Sequence, residues 1–127
     1  MKAATIGRLG EEAAVKYLQS LGYVIVTRNY HTRQGEIDIV ANDGGCLCFV
    51  EVKTRKNTAF GLACEAVDMR KRAKLIGAAE HYLAYHSTEA DVRFDIVEVY
   101  GKACQDRFVV SGVNLIKNAF DASGMEA

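Results

Sequence analysis

The sequence predicts a single α/β domain in which a mixed central β-sheet is flanked by α-helices. Three observations carry that expectation: two segments with apolar residues at helical spacing, a two-stranded unit built around an Asn-Asp-Gly-Gly turn, and a further strand-like run after the second helical segment. A chain of 127 residues buries roughly two thirds of its unfolded surface, enough for one core and not for two.

Taken in order, Thr5 is placed to cap a first helix carrying Leu9, Ala13, Ala14, Tyr17, Leu18 and Leu21 on one stripe, and Gly22 ends it. Tyr23 to Thr27 reads as the first strand. Glu36 to Ala41, the turn Asn42 to Gly45, and Cys46 to Lys53 then form a β-hairpin. Ala66 to His86 is expected to be a long helix that buries Ile76, Ala79, Tyr82 and Leu83. Val92 to Tyr100 follows as a strand, Phe108 to Val110 as a last short one, and Val113 to Phe120 as a closing helix. Residues 121–127 are expected to form a flexible tail, frayed from Ser123 onward. There are no repeats or low-complexity tracts, and the chain contains no proline.

The hairpin holds the feature that bears on function. Charged residues stand inside segments that otherwise read as buried strands, and burying unpaired charge is expensive. Alternation puts Glu36 and Asp38 on one face of the first arm, and Glu51 and Lys53 on one face of the second, roughly 7 Å apart. If Asp38 faces the same side as Glu51, two carboxylates converge on one point, as a hard divalent cation such as Mg2+ requires. Lys53 then stands beside whatever Glu51 binds and is placed to hold or help deprotonate a water. The alternative is an ordinary salt bridge from Lys53 to Glu51 or Asp38 on a solvated sheet face.

Those residues, Asp38 followed by Glu51-Val52-Lys53, resemble the PD-(D/E)XK nuclease signature. The surrounding motifs are similar to one branch of it, the YraN family of bacterial proteins: Gly7-Arg8-Leu9-Gly10-Glu11-Glu12, Arg28-Asn29-Tyr30, Gly35-Glu36-Ile37-Asp38-Ile39-Val40, Phe49-Val50-Glu51-Val52-Lys53-Thr54-Arg55 and Arg93-Phe94-Asp95. That family is grouped with the archaeal Holliday-junction resolvases, so the resemblance implies a restriction-endonuclease-like core. It further implies that Asp38, Glu51 and the carbonyl of Val52 are ligands for Mg2+ or Mn2+. Lys53 positions the attacking water, and Glu11 lies at the edge of the metal site. The proline of the signature is absent, Ile37 standing before Asp38; that position contributes backbone shape and no chemistry. The activity implied is hydrolysis of phosphodiester bonds in structured or branched DNA, read by shape, by a homodimer in analogy with resolvases. The rivals are a non-catalytic module that binds nucleic acid or protein on the same fold, and action on RNA.

Composition sets the remaining bounds. No segment approaches the roughly 20 apolar residues of a membrane span, and Met1 to Thr5 lacks the apolar stretch of a secretion signal, which leads to a cytoplasmic expectation. Cys46 and Cys48 share one strand face with no histidine at zinc-ligand spacing and are read as buried thiols, and all four cysteines, Cys64 and Cys104 included, as structural. Net charge is zero, but between Lys53 and Lys74 seven basic residues stand against Glu65 and Asp68. Within that run Arg55, Lys56, Arg70, Lys71 and Lys74 are the candidate phosphate contacts, the alternative being the solvated face of a helix. Arg33 and Gln34 are further candidates. Thr54 to Ala63 reads as a loop in which Phe60-Gly61 is a stacking wedge, a lid or, preferably, a hydrophobic plug. His31, His81 and His86 receive no catalytic role.

Overall fold

The computed structural model describes residues 1–56 and 69–125. Along the chain these form α1 (Ala3–Ser20), β1 (Val24–His31), β2 (Glu36–Asp43), β3 (Cys46–Arg55), α2 (Met69–Tyr85), β4 (Asp91–Cys104) and β5 (Arg107–Phe120). The five strands make one sheet in chain order, antiparallel throughout except between β3 and β4, which run parallel. Parallel neighbours need a crossover, and α2 lies in it. A mixed sheet with helices packed on it is the expected α/β, restriction-endonuclease-like core.

Each helix covers its own apolar cluster. Ala14, Val15 and Leu18 of α1 pack on Ile39, Ala41, Cys48, Val50, Val97 and Val99. Leu75, Ala78, Ala79 and Tyr82 of α2 pack on Ile37, Val40, Leu47, Phe49, Phe94, Ile96 and Phe120. Two glycines set how closely the layers approach. A Cβ at Gly10 would overlap the Thr54 side chain, so α1 lies directly on β3 there. A Cβ at Gly35 would come within 2.7 Å of the Lys74 carbonyl, so the β1–β2 turn sits tightly against α2.

The end of the sheet near the β2–β3 turn is held by a charged clamp. Arg93 bonds Asp95 through Nε at 2.8 Å and reaches Asp43 at 2.9 Å and the Tyr23 hydroxyl at 2.7 Å. Asp95 is fully buried and also accepts from the Asn118 backbone N–H at 2.9 Å. Hydrogen bonding to Asp95 holds the Arg93 pKa well above its usual range, so the guanidinium keeps its charge in the clamp.

Several expectations are corrected. Thr5 does not cap α1: the helix starts at Ala3, Lys2 is the capping residue, and it makes no side-chain cap bond. β1 extends past Thr27 to His31, because pairing of Tyr30 with Ile37 and His31 with Glu36 supplies order that its polar sequence does not advertise. The closing helix expected over Val113 to Phe120 is instead part of β5, a 14-residue strand that also absorbs the short strand expected at Phe108 to Val110. Beside Ile96 and Phe94, β5 runs from Ile116 to Phe120, four steps along the chain against two, and Asn118 adopts a left-handed φ of 52°. That bulge breaks the period-two pattern and leaves apolar residues at helix-like spacing. Within the segment after β5, Gly124 is buried and its carbonyl accepts from Arg72 at 2.8 Å. Cys48 is buried, with its thiol pushed up to about 12 chiefly by burial, but Cys104 is exposed and Cys46 only half-buried. Asn57 to Ala63 of the expected loop, including Phe60-Gly61, together with Cys64 and the expected helix start at Ala66, lie outside the described residues. No helix among the described residues is long and apolar enough to cross a membrane.

Candidate metal and nucleic-acid site

The carboxyl end of β3, where a parallel strand runs into its crossover, is the position at which open α/β sheets place ligands. Ile39 pairs with Val50, so one step further along the antiparallel register Asp38 comes opposite Glu51. The side chains meet: the two carboxyl groups are within hydrogen-bonding reach of each other, and Asp38 Oδ2 also accepts from the Val52 backbone N–H at 2.8 Å. The Lys53 ammonium lies on the same side, 3.5 Å from Glu51 Oε1.

This grouping is under electrostatic stress. Burial first, and then the charge of Asp38, push the Glu51 pKa up to about 7, against the opposing pull of Lys53 and Lys71. Asp38 is raised too, mainly by burial and with Glu36 adding to it, while the Val52 N–H works the other way. The Lys53 ammonium is depressed by burial and by Lys71 close by, which outweigh Glu51. Two carboxyls that resist ionising side by side, with hard oxygen donors and no soft ligand among the described residues, fit a divalent cation of the Mg2+ or Mn2+ type. Among the described residues, no group of three or more His, Cys, Asp or Glu side chains is gathered for a metal, so the carboxylate donors brought together are Asp38 and Glu51.

Two cavities flank the pair. One, of about 410 Å3, is bounded by Thr32, Glu36, Asp38, Glu51, Lys71 and Lys74. The other, of about 390 Å3, is bounded on the α1 side by Ile6 and Glu11 and elsewhere by Asp38, Glu51, Lys53, Lys56 and Lys71, with Val52 also on its wall. Each cavity therefore presents acidic groups on the sheet and ammonium groups around the rim, an arrangement suited to a phosphate that meets a bound cation.

Of the residues singled out in the sequence, Asp38, Glu51, Val52 and Lys53 come together, and Glu11 shares their second cavity. Burial and then Asp38 raise the Glu11 carboxyl, and Asn29 hydrogen-bonds it. The neighbouring Glu12 is instead engaged by Arg28 at 2.7 Å. Lys71 and Lys74 line the site, Lys56 stands at its edge and Arg70 is exposed on α2. Arg55 is half-buried on β3. Arg72, part of the same basic run, is committed to the Gly124 carbonyl and to the Phe120 ring. Arg33 and Gln34 are exposed on the β1–β2 turn. His31 pairs with Glu36 at 2.8 Å, and His81 bonds the Tyr30 hydroxyl at 2.9 Å.

Sequence reasoning gave Asn29 no role beyond its place in the Arg28-Asn29-Tyr30 motif; in the structure it adopts a left-handed φ of 52° and hydrogen-bonds Glu11. It also missed Glu98, a lone carboxylate inside the apolar run Ile96 to Tyr100 that is buried on β4.

Compared with known proteins, residues 10–99 match the model of the Uncharacterised protein family UPF0102. A UPF0102 protein of Caldicellulosiruptor saccharolyticus is 41% identical over 121 residues, covering 94% of this chain and all of that protein. One from Chlorobium chlorochromatii is 43% identical over 116 residues, 91% of this chain and 90% of the relative. One from Clostridium kluyveri is 40% identical, over 91% of this chain and 93% of the relative.

Proposed function

This chain belongs to the Uncharacterised protein family UPF0102, the YraN family of its motifs, and on that premise we propose that it is a divalent-metal-dependent nuclease acting on structured or branched DNA. The observation that carries the reading is the convergence of Asp38 and Glu51 at the carboxyl end of β3 with Lys53 beside them. Such a group is destabilising in the metal-free fold, as the raised Glu51 carboxyl indicates, and strain of that kind gathers where a ligand relieves it.

Asp38 and Glu51 would hold the cation, with the backbone of Val52 adjoining. When bound, Mg2+ or Mn2+ supplies Lewis-acid stabilisation of charge developing on phosphate and makes water a better nucleophile. The protein's own residues do the rest. The Val52 N–H fixes the orientation of Asp38. Lys53, held at the site by Glu51, orients the attacking water and takes part in its proton movement. Lys71 and Lys74 hold the phosphates entering from α2, with Lys56, Arg55 and Arg70 extending the track, and Glu11 closes the side facing α1. Recognition through phosphates and shape follows from a surface rich in ammonium groups and, among the described residues, without a base-reading helix.

The test is a panel of labelled linear, nicked, flapped and four-way DNA with Mg2+ or Mn2+, with single-stranded RNA alongside. The parent should cut branched DNA. Lys53→Met should cut slower by orders of magnitude while binding DNA within a few-fold of the parent, because it removes an interaction used in the chemical step. A parent that cuts nothing with either metal, or a Lys53→Met variant as fast as the parent, would leave a nucleic-acid- or protein-binding module in place of an enzyme.

A further inference from the structure

Glu98 is a carboxylate on β4 that the site as described so far does not use. It is 1% exposed, and a buried carboxylate normally has both oxygens satisfied. Here Oε1 accepts from Asn114 Nδ2 at 2.8 Å, while Oε2 is buried with no hydrogen-bond partner among the described residues. If Glu98 served only to fasten β5 to β4, the bond to Asn114 would suffice, and a glutamine would make it as well.

Its position in the sheet supplies the missing reason. In the parallel β3–β4 pairing Glu98 is the register partner of Lys53. Phe94 and Ile96 on β4, like Leu47 and Phe49 on β3, pack beneath α2. With side chains alternating, Glu98 and Lys53 continue that same face side by side. Lys53 thus stands between two carboxylates, Glu51 on its own strand and Glu98 on the next. Its ammonium leans toward Glu51, at a long 3.5 Å, and makes no ion pair with Glu98.

We propose that Glu98 is a positioning residue for Lys53, receiving the ammonium on its open Oε2 when a divalent cation occupies Asp38 and Glu51. The inference rests on the metal-site reading above. A cation at Glu51 takes over the charge that Lys53 balances in its absence and repels the ammonium. Without a second acceptor, the ammonium would be stranded in a buried position, and cation binding would carry that cost. Glu98 removes the cost, and because it is anchored by Asn114 it returns the lysine to one fixed place beside the site.

The experiment measures Mn2+ affinity of the whole chain by electron paramagnetic resonance, with no DNA and no cleavage. Four proteins form a cycle: parent, Glu98→Gln, Lys53→Met and the double variant, with Asp38→Asn as control. Glu98→Gln keeps the bond to Asn114, and thermal melts check its fold. It should bind Mn2+ about tenfold more weakly than the parent, in the range found for outer-shell partners of metal ligands. In the Lys53→Met background the same change should matter less than twofold, since there is no ammonium to accommodate. An equal loss in both backgrounds, or none in the parent background, would overturn the role of Glu98 while leaving the metal site standing. A parent that binds no Mn2+, or an Asp38→Asn variant that binds it as tightly, would overturn both.

Discussion

Neutralising one of the two facing carboxyls should stabilise the metal-free protein, and the effect can be worked from the site. The Glu51 carboxyl rises from 4.5 to about 7 in the fold, so its folded value lies above its unfolded one. For such a group the folded state is favoured while the carboxyl is protonated. That contribution is whole below about pH 4.5 and is lost as pH climbs toward 7. The full shift corresponds to at most about 3 kcal/mol at 1.36 kcal/mol per unit. Burial is its largest cause and the charge of Asp38 the second, so Asp38→Asn returns part of that sum and also relieves the buried Asp38 carboxylate itself. The amide can still accept from the Val52 N–H. At pH 8 in EDTA the variant should therefore gain about 1–3 kcal/mol, or roughly 4–12 °C in Tm for a domain of this size. At pH 5 the gain should shrink to a small fraction. Adding Mg2+ at pH 8 should raise the Tm of the parent and leave Asp38→Asn unmoved. Calorimetric melts at the two pH values decide it. An Asp38→Asn protein that is no more stable than the parent at pH 8, or equally shifted at both, would refute the claim that the carboxyls strain each other.

Two further outcomes follow from other parts of the molecule. Reversing charge at Arg70, Lys71 and Lys74 should weaken DNA binding and lower the slope of log affinity against log salt by up to about 3, as roughly 0.9 counterion is lost per phosphate contact; an unchanged slope in fluorescence anisotropy would place the nucleic acid elsewhere. Arg93→Met should cost about 3–5 kcal/mol in urea unfolding, because it leaves fully buried Asp95 without its cation; a cost under about 1 kcal/mol would mean the clamp is dispensable.

The hairpin was legible because its signals agree: a Gly-rich turn, apolar alternation, and charges whose burial demanded a reason. Alternation put Glu51 and Lys53 on one face and left open whether Asp38 shared it; the resemblance to the nuclease signature is what joined the three. β5 was not legible, since its bulge at Asn118 converts a strand pattern into helix-like spacing, and only pairing with β4 decides between them. The N-terminus of α1 was misread because Thr5 looks like a cap, whereas the Lys2 carbonyl already accepts from the Thr5 and Ile6 N–H groups at 3.1 Å. Glu98 carried the same signal as the hairpin charges, a carboxylate amid apolar residues. Its meaning depends on which strand lies beside β3, which a sequence read locally does not reveal. The separate fates of Lys71, on the cavity wall, and Arg72, turned to the Gly124 carbonyl, likewise follow from how α2 is rotated on the sheet.

The central claim is that Asp38 and Glu51 are a cation site. Crystals grown without metal and soaked in Mn2+ test it through anomalous scattering, without reference to any substrate. The account predicts one anomalous peak within coordination distance of both carboxylates, absent from Asp38→Asn crystals soaked alike. A parent crystal with no peak there, or with Asp38 and Glu51 still paired to each other and to Lys53 at saturating Mn2+, would contradict it.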